Sequence, residues 1–575
     1  MRHYISTRLL GKTNQARREQ FIRLLALGLR QATYFGRGLE PPPLDTGKRV
    51  TVATVFEEAS TRTRNSSEMA ASRLRCYVQH GISVSDSSLA KNESLEDTLT
   101  MLGQYGVWGV IVRTKTEGAG LWLAQELQKL EGEETWLPRG MSVIIGGEGK
   151  KTHATQLLLD CLTIVLNELG ARRMDQVGVI DEFLKQPEEL VHQKIGEILD
   201  RLKICFVGDL KYSRVVHSWA DLGELFTIEY CFVAPEPFQL ETWATPHRST
   251  VTTDLDASLE YPYVYFMRAQ IERLTGTPDS PGPMTKREAI RLVQSLEANE
   301  QYLDRCQGKL LHAQPRDQAL PMIPNQFKNH PKVIMLMQSA CGVPAREAVL
   351  MECYRGRFET EDLISVPSIG FDQAWVTKQE SWYAHFEALK VKSAGRNVII
   401  EPIENGTAVD RTEEHMIRVH DEIFGEDGVY HQASGRQILP GRRLDSPCMG
   451  RPKGTLWLYG YRISPEQALK HGLISPHVKF SHMDKTGEDA GESAHGYLRV
   501  EYPLPEIVEG FRCLNENCIT RRTDIARPIF RVHGEKGRET PDHYADAGLE
   551  CISCGDRVTA KEMVQACYGS LVLHR

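Results

Sequence analysis

Short apolar runs alternate with stretches of helical periodicity along the first 312 residues of this chain, starting near residue 49. The runs at 50–55, 108–113, 142–146, 203–208, 228–233 and 262–267 are rich in β-branched and aromatic residues and 309–312 is a short leucine-bearing run, which predicts strands. Between them lie helical patterns, the clearest at 152–169, where apolar residues recur at i, i+3 and i+4. Such alternation predicts parallel sheets covered by helices on both faces. About 260 residues is generous for a single sheet, so the expected fold class is α/β with two doubly wound parallel-sheet lobes.

The pattern changes further along. Residues 171–201 read as a helical insertion, 275–308 as helix and loop, and 343–355 as a helix. The expected lobes are then 1–151, completed by 330–355, and 152–329. Periodicity is weak over 356–396, which is read as a linker. A fresh strand pattern begins at Asn397 and opens an expected α+β domain over 397–506, followed by a small β-rich domain over 507–575.

Composition narrows the function classes. With 25% charged residues and a net charge of -7, the chain has no acidic or basic tail that would call for a polyelectrolyte partner. It contains no apolar run of the roughly 18 residues or more that would suggest a membrane span, and its first 21 residues lack the apolar core of a signal peptide. Its 13 cysteines are an odd number and nine are scattered singly, which fits a reducing compartment and predicts a cytoplasmic protein.

The chemistry concentrates at strand ends. Phe56 to Arg64 follows an apolar strand and opens a helical stretch that ends near Leu74. Two hydroxyls and a guanidinium at a helix N-terminus make a phosphate seat, although the same triplet also serves as an ordinary helix cap. Arg113, His153 with Gln156, Lys211 with Arg214, Arg268 with Gln270, and His312 to Arg316 follow later strands. Ligands of open α/β sheets bind outside the carboxyl ends of the strands, so these cationic and polar residues predict a pocket for a substrate with several anionic groups.

These residues stand in motifs that resemble the catalytic chain of the aspartate carbamoyltransferase family. The pattern F-x-E-x-S-T-R-T-R-x-S-F-E runs from Phe56 to Glu68, the mobile-loop pattern from Ser88 to Thr98, and the H-P-T-Q helix start from His153 to Gln156. V-G-D-L-K-Y-x-R-x-x-H-S runs from Val207 to Ser218, R-x-Q-x-E-R-L from Arg268 to Leu274, and the H-P-L-P-R turn from His312 to Arg316. The resemblance implies transfer of a carbamoyl group from carbamoyl phosphate to L-aspartate in pyrimidine biosynthesis, with no catalytic cofactor. It implies that Ser60, Thr61, Arg62 and Thr63 hold the phosphate, with Arg113 bridging phosphate and carbonyl oxygen. Thr63, Arg113 and His153 would polarise the carbonyl while Gln156 positions the carbamoyl amine. Arg214, Arg268 and Gln270 would grip the aspartate carboxylates, and Glu58 would pair with Arg214 and Arg273 on domain closure. Ser88 and Lys91 would come from a neighbouring chain, which implies a homo-oligomer built on trimers with shared active sites.

The departures fall at defined places. Ala154 replaces the Pro after the catalytic His, Ala313 and Gln314 replace the Pro-Leu pair of the later turn, and Ser67 replaces a Phe. Two further readings keep the same residues. One is a carbamoyltransferase with another amino-acid acceptor; the other is a catalytically weak homologue acting as a binding subunit. The cationic motifs around Arg214 and Arg268 disfavour ornithine, whose side chain carries a cation.

In the last segment, Cys513 and Cys518, with Cys551 and Cys554, have the short spacings of a closed tetrathiolate zinc site, and that metal would be structural. Arg512, Arg521, Arg522, Arg527 and Arg531 are offset by nearby acids and form no basic stripe, so nucleic acid is not an expected partner. The stretch around Cys513 to Ile519, and Ile400 to Asp410 upstream, resemble the regulatory chain of the same family, which implies a fusion of catalytic and regulatory polypeptides. That resemblance extends to ATP and CTP as effectors. Leu456, Trp457 and Leu458 stand where an effector lysine would be, Arg499 stands for another, and Arg442, Arg443, Arg451 and Lys453 lie nearby in sequence.

Overall fold

The computed structural model describes residues 1–83, 93–132, 140–241, 244–271, 275–277, 280–281 and 284–359. Beyond these it describes the later strands given below, with 511–523, 526–533, 548–560, 562–563 and 566. The chain divides into two compact units, Met1–Leu363 and Ile364–Arg575.

The first unit holds two parallel sheets. The first contains β1 (Thr51–Phe56), β2 (Tyr77–Ser83), β3 (Val107–Thr114) and β4 (Ser142–Glu148) in the order β2-β1-β3-β4. Apart from Thr51 and Arg113, β1, β3 and β4 are buried throughout, because helices cover both faces; that is why they read as continuous apolar runs. Tyr4 pairs with Ile144 on the outer side of β4, its N–H donating to Val143 O at 3.0 Å and its carbonyl accepting from Ile145 at 2.9 Å.

The second sheet contains β5 (Lys203–Val207), β6 (Glu229–Val233), β7 (Ser249–Thr252), β8 (Tyr263–Phe266) and β11 (Lys309–His312), ordered β11-β8-β5-β6-β7. A two-stranded pairing of β9 (Gly276–Thr277) with β10 (Ser280–Pro281) precedes β11. Phe206 sits in register with Phe232 on one side and Tyr265 on the other, and the three rings stack at 5.9 and 5.6 Å. Trp219 closes over Phe206 at 5.7 Å.

The expected strands match these elements to within about two residues. Among the elements not foreseen are β2, β7 and helix Asn14–Gly36. β2 and β7 are edge strands, and β7 (Ser-Thr-Val-Thr) has little apolar content to announce it. Helix Asn14–Gly36 begins with about two turns that are polar apart from Ala16, yet buries Phe21, Ile22, Leu24, Leu25, Leu29 and Ala32. Helix Ala154–Glu168 is buried along nearly its whole length, packed against β4 and helices Asn14–Gly36, Arg214–Leu222 and Gly342–Arg355. The insertion at 171–201 is a 3₁₀ turn followed by helices Asp181–Leu184 and Glu188–Asp200.

The second unit is antiparallel throughout its described strands. Six of them, β12 (Trp375–Ser381), β13 (Thr407–Asp410), β14 (Ile438–Pro440), β17 (Thr455–Leu458), β18 (Lys479–Thr486) and β19 (Ala494–Glu501), order as β12-β19-β18-β13-β17-β14. β12 lies within the span read as a linker and pairs along β19 from Trp375 to Ser381. β15 (Leu444–Ser446) pairs with β16 (Arg451–Lys453). The strand pattern expected from Asn397 lies outside the described residues up to Gly406, after which Thr407–Asp410 pairs with both β17 and β18. A separate four-stranded sheet of β20 (Ile507–Glu509), β21 (Ile529–His533), β22 (Gly548–Cys551) and β23 (Arg557–Thr559) carries the cysteine cluster.

Candidate active site and thiolate cluster

The first β-to-helix turn places Ser60 as the extended N-cap of helix Thr61–Arg73, and its side chain makes no capping bond. The first N–H groups of a helix have no intrahelical partner, so Ser60, Thr61, Arg62 and Thr63 surround a seat of positive potential. Thr63 is buried, whereas Arg62 is exposed. Ser67, where a Phe was expected, is buried and donates its hydroxyl to Thr63 O at 2.7 Å.

Arg113 ends β3 beside this turn. Its Nη1 donates to Gly146 O at 3.2 Å and stands 3.5 Å from His153 Nε2, at the cap of helix Ala154–Glu168. Glu58 meets two guanidiniums at once: its Oε2 accepts from Arg214 Nη2 at 2.9 Å and lies 3.4 Å from Arg113 Nε. Gly147, at φ +127°, makes room for both, since a Cβ there would sit 3.1 Å from Nη1 of each arginine. Burial lowers Arg113 to about 10, the adjacent Arg214 cation adding to the effect and Glu58 opposing it. Arg113 Nε and Arg214 Nη1 are buried without a hydrogen-bond acceptor among the described residues. Buried donors left unsatisfied beside a surplus of positive charge describe an anion site.

His153 is buried, and its N–H donates to Ser218 Oγ at 2.9 Å, tying it to helix Arg214–Leu222. Burial, then the cations of Arg113, Arg214 and Arg346, hold its imidazole well below its ordinary pKa, so the ring is neutral. Ala154, in place of Pro, is buried and its carbonyl accepts from Tyr4 Oη at 3.1 Å, so the backbone is tethered there by a contact from the chain start.

Gln156 does not reach freely into the site. Its Nε2 donates to Asp160 Oδ1 at 2.9 Å and approaches Tyr265 Oη at 3.5 Å. Asp160 is fully buried and also accepts from Gln338 Nε2 at 2.7 Å, Tyr265 Oη at 2.9 Å and Trp219 Nε1 at 3.3 Å. Burial pushes its carboxyl up to about 7 against the pull of those four donors. Gln338 Oε1 in turn accepts from the His312 N–H at 3.0 Å, so the hub extends to the turn after β11. In that turn the Gln314–Pro315 peptide is cis, and Gln314 N–H donates to His312 Nδ1 at 2.9 Å. Burial, then the charges of Arg316 and Arg62, lower His312 to about 3.

On the second sheet, Gly208 at φ +121° lets the chain turn after β5, because a Cβ there would lie 2.6 Å from Met267 O. Asp209 then accepts from Tyr212 N–H and Gln270 N–H, each at 3.0 Å. Gln270 Nε2 donates to Tyr212 O at 2.9 Å, and Arg268 is exposed. Ser88, Lys91 and Arg273 lie outside the described residues. Asp160, Gln338, Arg346 and Thr155 received no role from the sequence. Asp160 alone left a signal, a single acid inside the apolar run Leu157 to Leu166.

In the second unit the four cysteines come together from two hairpin-like turns. Cys513, Cys518, Cys551 and Cys554 are buried, free of disulfides, and their sulfurs all lie within 4.8 Å of one another. Cys513 and Cys554 sulfurs are 3.6 Å apart and those of Cys518 and Cys551 3.8 Å. Four sulfurs at about 2.3 Å from a tetrahedral ion would stand about 3.8 Å from one another, so the cluster fits a metal of that size. Among the described residues no helix is long and apolar enough to cross a membrane.

The chain is similar to known proteins over its first part. The family model for the aspartate/ornithine carbamoyltransferase carbamoyl-P binding domain matches residues 9–165. The aspartate carbamoyltransferase catalytic subunit of Mycobacteroides abscessus is 32% identical over 333 residues, which are 57% of this chain and 90% of that subunit. That of Methanococcus maripaludis is 28% identical over 356 residues, 61% of this chain and 97% of the subunit. Among solved structures, the catalytic subunit of M. jannaschii aspartate transcarbamoylase is 26% identical and covers 63% of this chain and 100% of its own, with a TM-score of 0.48.

Proposed function

The chain belongs to the aspartate carbamoyltransferase catalytic-subunit family, and from that membership we propose that it carries the carbamoyl group of carbamoyl phosphate to the amine of L-aspartate. The products are N-carbamoyl-L-aspartate and phosphate. The observation that carries the reading is the meeting of Arg113, His153, Glu58 and Arg214 beside the N-terminus of helix Thr61–Arg73.

In this reading Ser60, Thr61, Arg62 and Thr63 hold the phosphate and Arg113 spans phosphate and carbonyl oxygen. The aspartate amine attacks the carbonyl carbon, and the oxygen that gains charge is stabilised by Thr63, Arg113 and neutral His153. Gln156 orients the carbamoyl amine. Phosphate leaves with the C–O bond electrons and takes up a proton released by the attacking amine. Arg214, Arg268 and Gln270 receive the aspartate carboxylates, work that suits forked guanidinium donors. Glu58 draws the lobes together through Arg214, with Arg273 as its second partner. Ser88 and Lys91 complete the pocket from a neighbouring chain, so the working form is a trimer or a multiple of one. Positioning and charge stabilisation supply the rate without a catalytic cofactor.

For the second unit we infer a structural zinc ion on Cys513, Cys518, Cys551 and Cys554, in a regulatory region fused to the catalytic one. The support for zinc is the sulfur spacing and a ligand set that leaves no open position. The buried cysteines of the first unit, none of them in a disulfide, support a reducing, cytoplasmic setting. Titration with ATP and CTP tests nucleotide control: unchanged binding and rate would remove it from the reading.

The deciding assay is carbamoyl-aspartate formation from carbamoyl phosphate and L-aspartate, with L-ornithine in parallel. Turnover with aspartate alone is expected. Turnover with neither would direct the acceptor search to Ala154, Ala313 and Gln314.

A further inference from the structure

Behind His153, on the side away from Arg113, a second contact reaches the imidazole. Thr155 Oγ1 lies 3.5 Å from His153 Nδ1 and accepts a hydrogen bond from Arg346 Nη2 at 3.2 Å. Thr155 is buried, and these two groups are the polar atoms that meet its hydroxyl among the described residues. Arg346, on helix Gly342–Arg355, is itself only 4% exposed; its Nη1 donates to Gly342 O at 2.9 Å and its Nε meets no acceptor among the described residues. A buried guanidinium that ion-pairs with no carboxylate among the described residues is costly.

The donor count at Thr155 argues for one position of the ring proton; the His153 carbonyl, which also meets the ring, is the competing acceptor. A threonine hydroxyl carries one proton and two lone pairs. Arg346 has no lone pair to offer, so the hydroxyl can only accept from it. The Thr155 proton is then left for the one acceptor within reach among the described residues, Nδ1 of His153, because leaving a buried donor unpaired costs about 1–3 kcal/mol. A neutral imidazole that accepts at Nδ1 carries its own proton on Nε2.

We propose that Thr155, oriented by Arg346, is a positioning residue that holds His153 as its Nε2–H tautomer, so that His153 and Arg113 offer two donors to one ligand oxygen. Arg113 Nη1 already spends one proton on Gly146 O and stands 3.5 Å from Nε2. Two donors at that separation do not bond to each other; an oxygen about 2.9 Å from both closes the triangle. The opposite tautomer would turn the lone pair of Nε2 toward the oxygen and replace one attraction with a repulsion. This inference rests on the carbamoyltransferase reading of the site for the identity of that oxygen, but the tautomer itself does not.

The test is long-range ¹H–¹⁵N correlation on the full-length protein with ¹⁵N-labelled histidine, the His153 signals being identified by their loss in His153→Asn. Protonated and bare imidazole nitrogens resonate far apart, so the spectrum reads the tautomer directly. A protonated Nε2 and a bare Nδ1 are expected in the wild type and in Thr155→Ser. In Thr155→Val the two nitrogens should move toward averaged shifts, with kcat lower by on the order of tenfold or more and largely restored in Thr155→Ser. A wild-type ring protonated on Nδ1, or a Thr155→Val ring unchanged from wild type, would overturn the proposal. Should Thr155→Val not fold, the wild-type spectrum still decides. Failure of the carbamoyl-transfer reading shows separately, as absent turnover in a wild-type protein whose His153 carries its proton on Nε2.

Discussion

Replacing Asp160 by Ala should damage the site without touching a substrate-facing atom. The carboxylate accepts from Gln156, Gln338, Tyr265 and Trp219, drawn from two different helices, β8 and helix Arg214–Leu222. The amide groups of Gln156 and Gln338 keep Tyr265 Oη as a second acceptor, at 3.5 and 2.8 Å. The Tyr265 hydroxyl proton and the Trp219 indole N–H have no other described acceptor, and both are buried. Two orphaned buried donors at about 1–3 kcal/mol each put the loss at about 2–6 kcal/mol. At roughly 2 °C per kcal/mol for a unit of this size, the melting transition of the first unit should fall by roughly 4–12 °C. Gln156 would also lose the anchor that sets its amide, so the KM for carbamoyl phosphate should rise even well below the melting temperature. Asp160→Asn, which keeps one carbonyl oxygen, should fall between wild type and Ala on both measures. Calorimetry and initial rates on the three proteins check this. An Ala variant that melts within about 2 °C of wild type, with unchanged KM, would refute the hub.

Three other outcomes follow from the same geometry. Arg62→Ala, an exposed residue at a helix N-terminus, should cut kcat by on the order of 10²–10³ while far-UV dichroism is unchanged; an undiminished rate would remove it from the phosphate seat. Cys518→Ser should reduce the zinc measured by plasma emission from one ion per chain to well below that, because the sulfur completes a set of four, and the wild type should lose its zinc-domain melting transition in strong chelator. A wild type purified without metal and indifferent to chelator would contradict the zinc reading. For pH, the pKa of His153 lies well below 6.5 through burial and the facing cations Arg113, Arg214 and Arg346. The neutral ring therefore persists as pH falls past 6.5, and kcat should show no acid limb centred there. A limb near 6.5 that moves when the charge of Arg346 is removed would show that His153 titrates in the working range.

How much was legible beforehand follows from what each feature depends on. The strands of the two parallel sheets could be read because burial on both faces demands apolar runs, which are β-branched and aromatic in β1, β3, β4, β5, β6 and β8 and a leucine pair in β11. The polar residues of the site could be read because they follow those runs directly, and in a parallel sheet every such position lies at the same edge. β7 escaped because an exposed edge strand needs no apolar run. Helix Asn14–Gly36 escaped because its apolar stripe begins only at its third turn.

The partners of the polar residues belong to another order of information. Glu58 and Arg214 are 156 positions apart, Asp160 and Gln338 are 178, and Thr155 and Arg346 are 191. Periodicity reports on the local backbone and on which face is buried. Which carboxylate, amide or guanidinium ends up opposite which is set by how the two sheets pack around helix Ala154–Glu168. The sequence by itself therefore determined the elements, the edge on which the chemistry sits and the thiolate set. Only the tertiary structure decided that one buried acid anchors Gln156, that one glutamate bridges two arginines, and that a threonine under a buried arginine faces the inner nitrogen of His153.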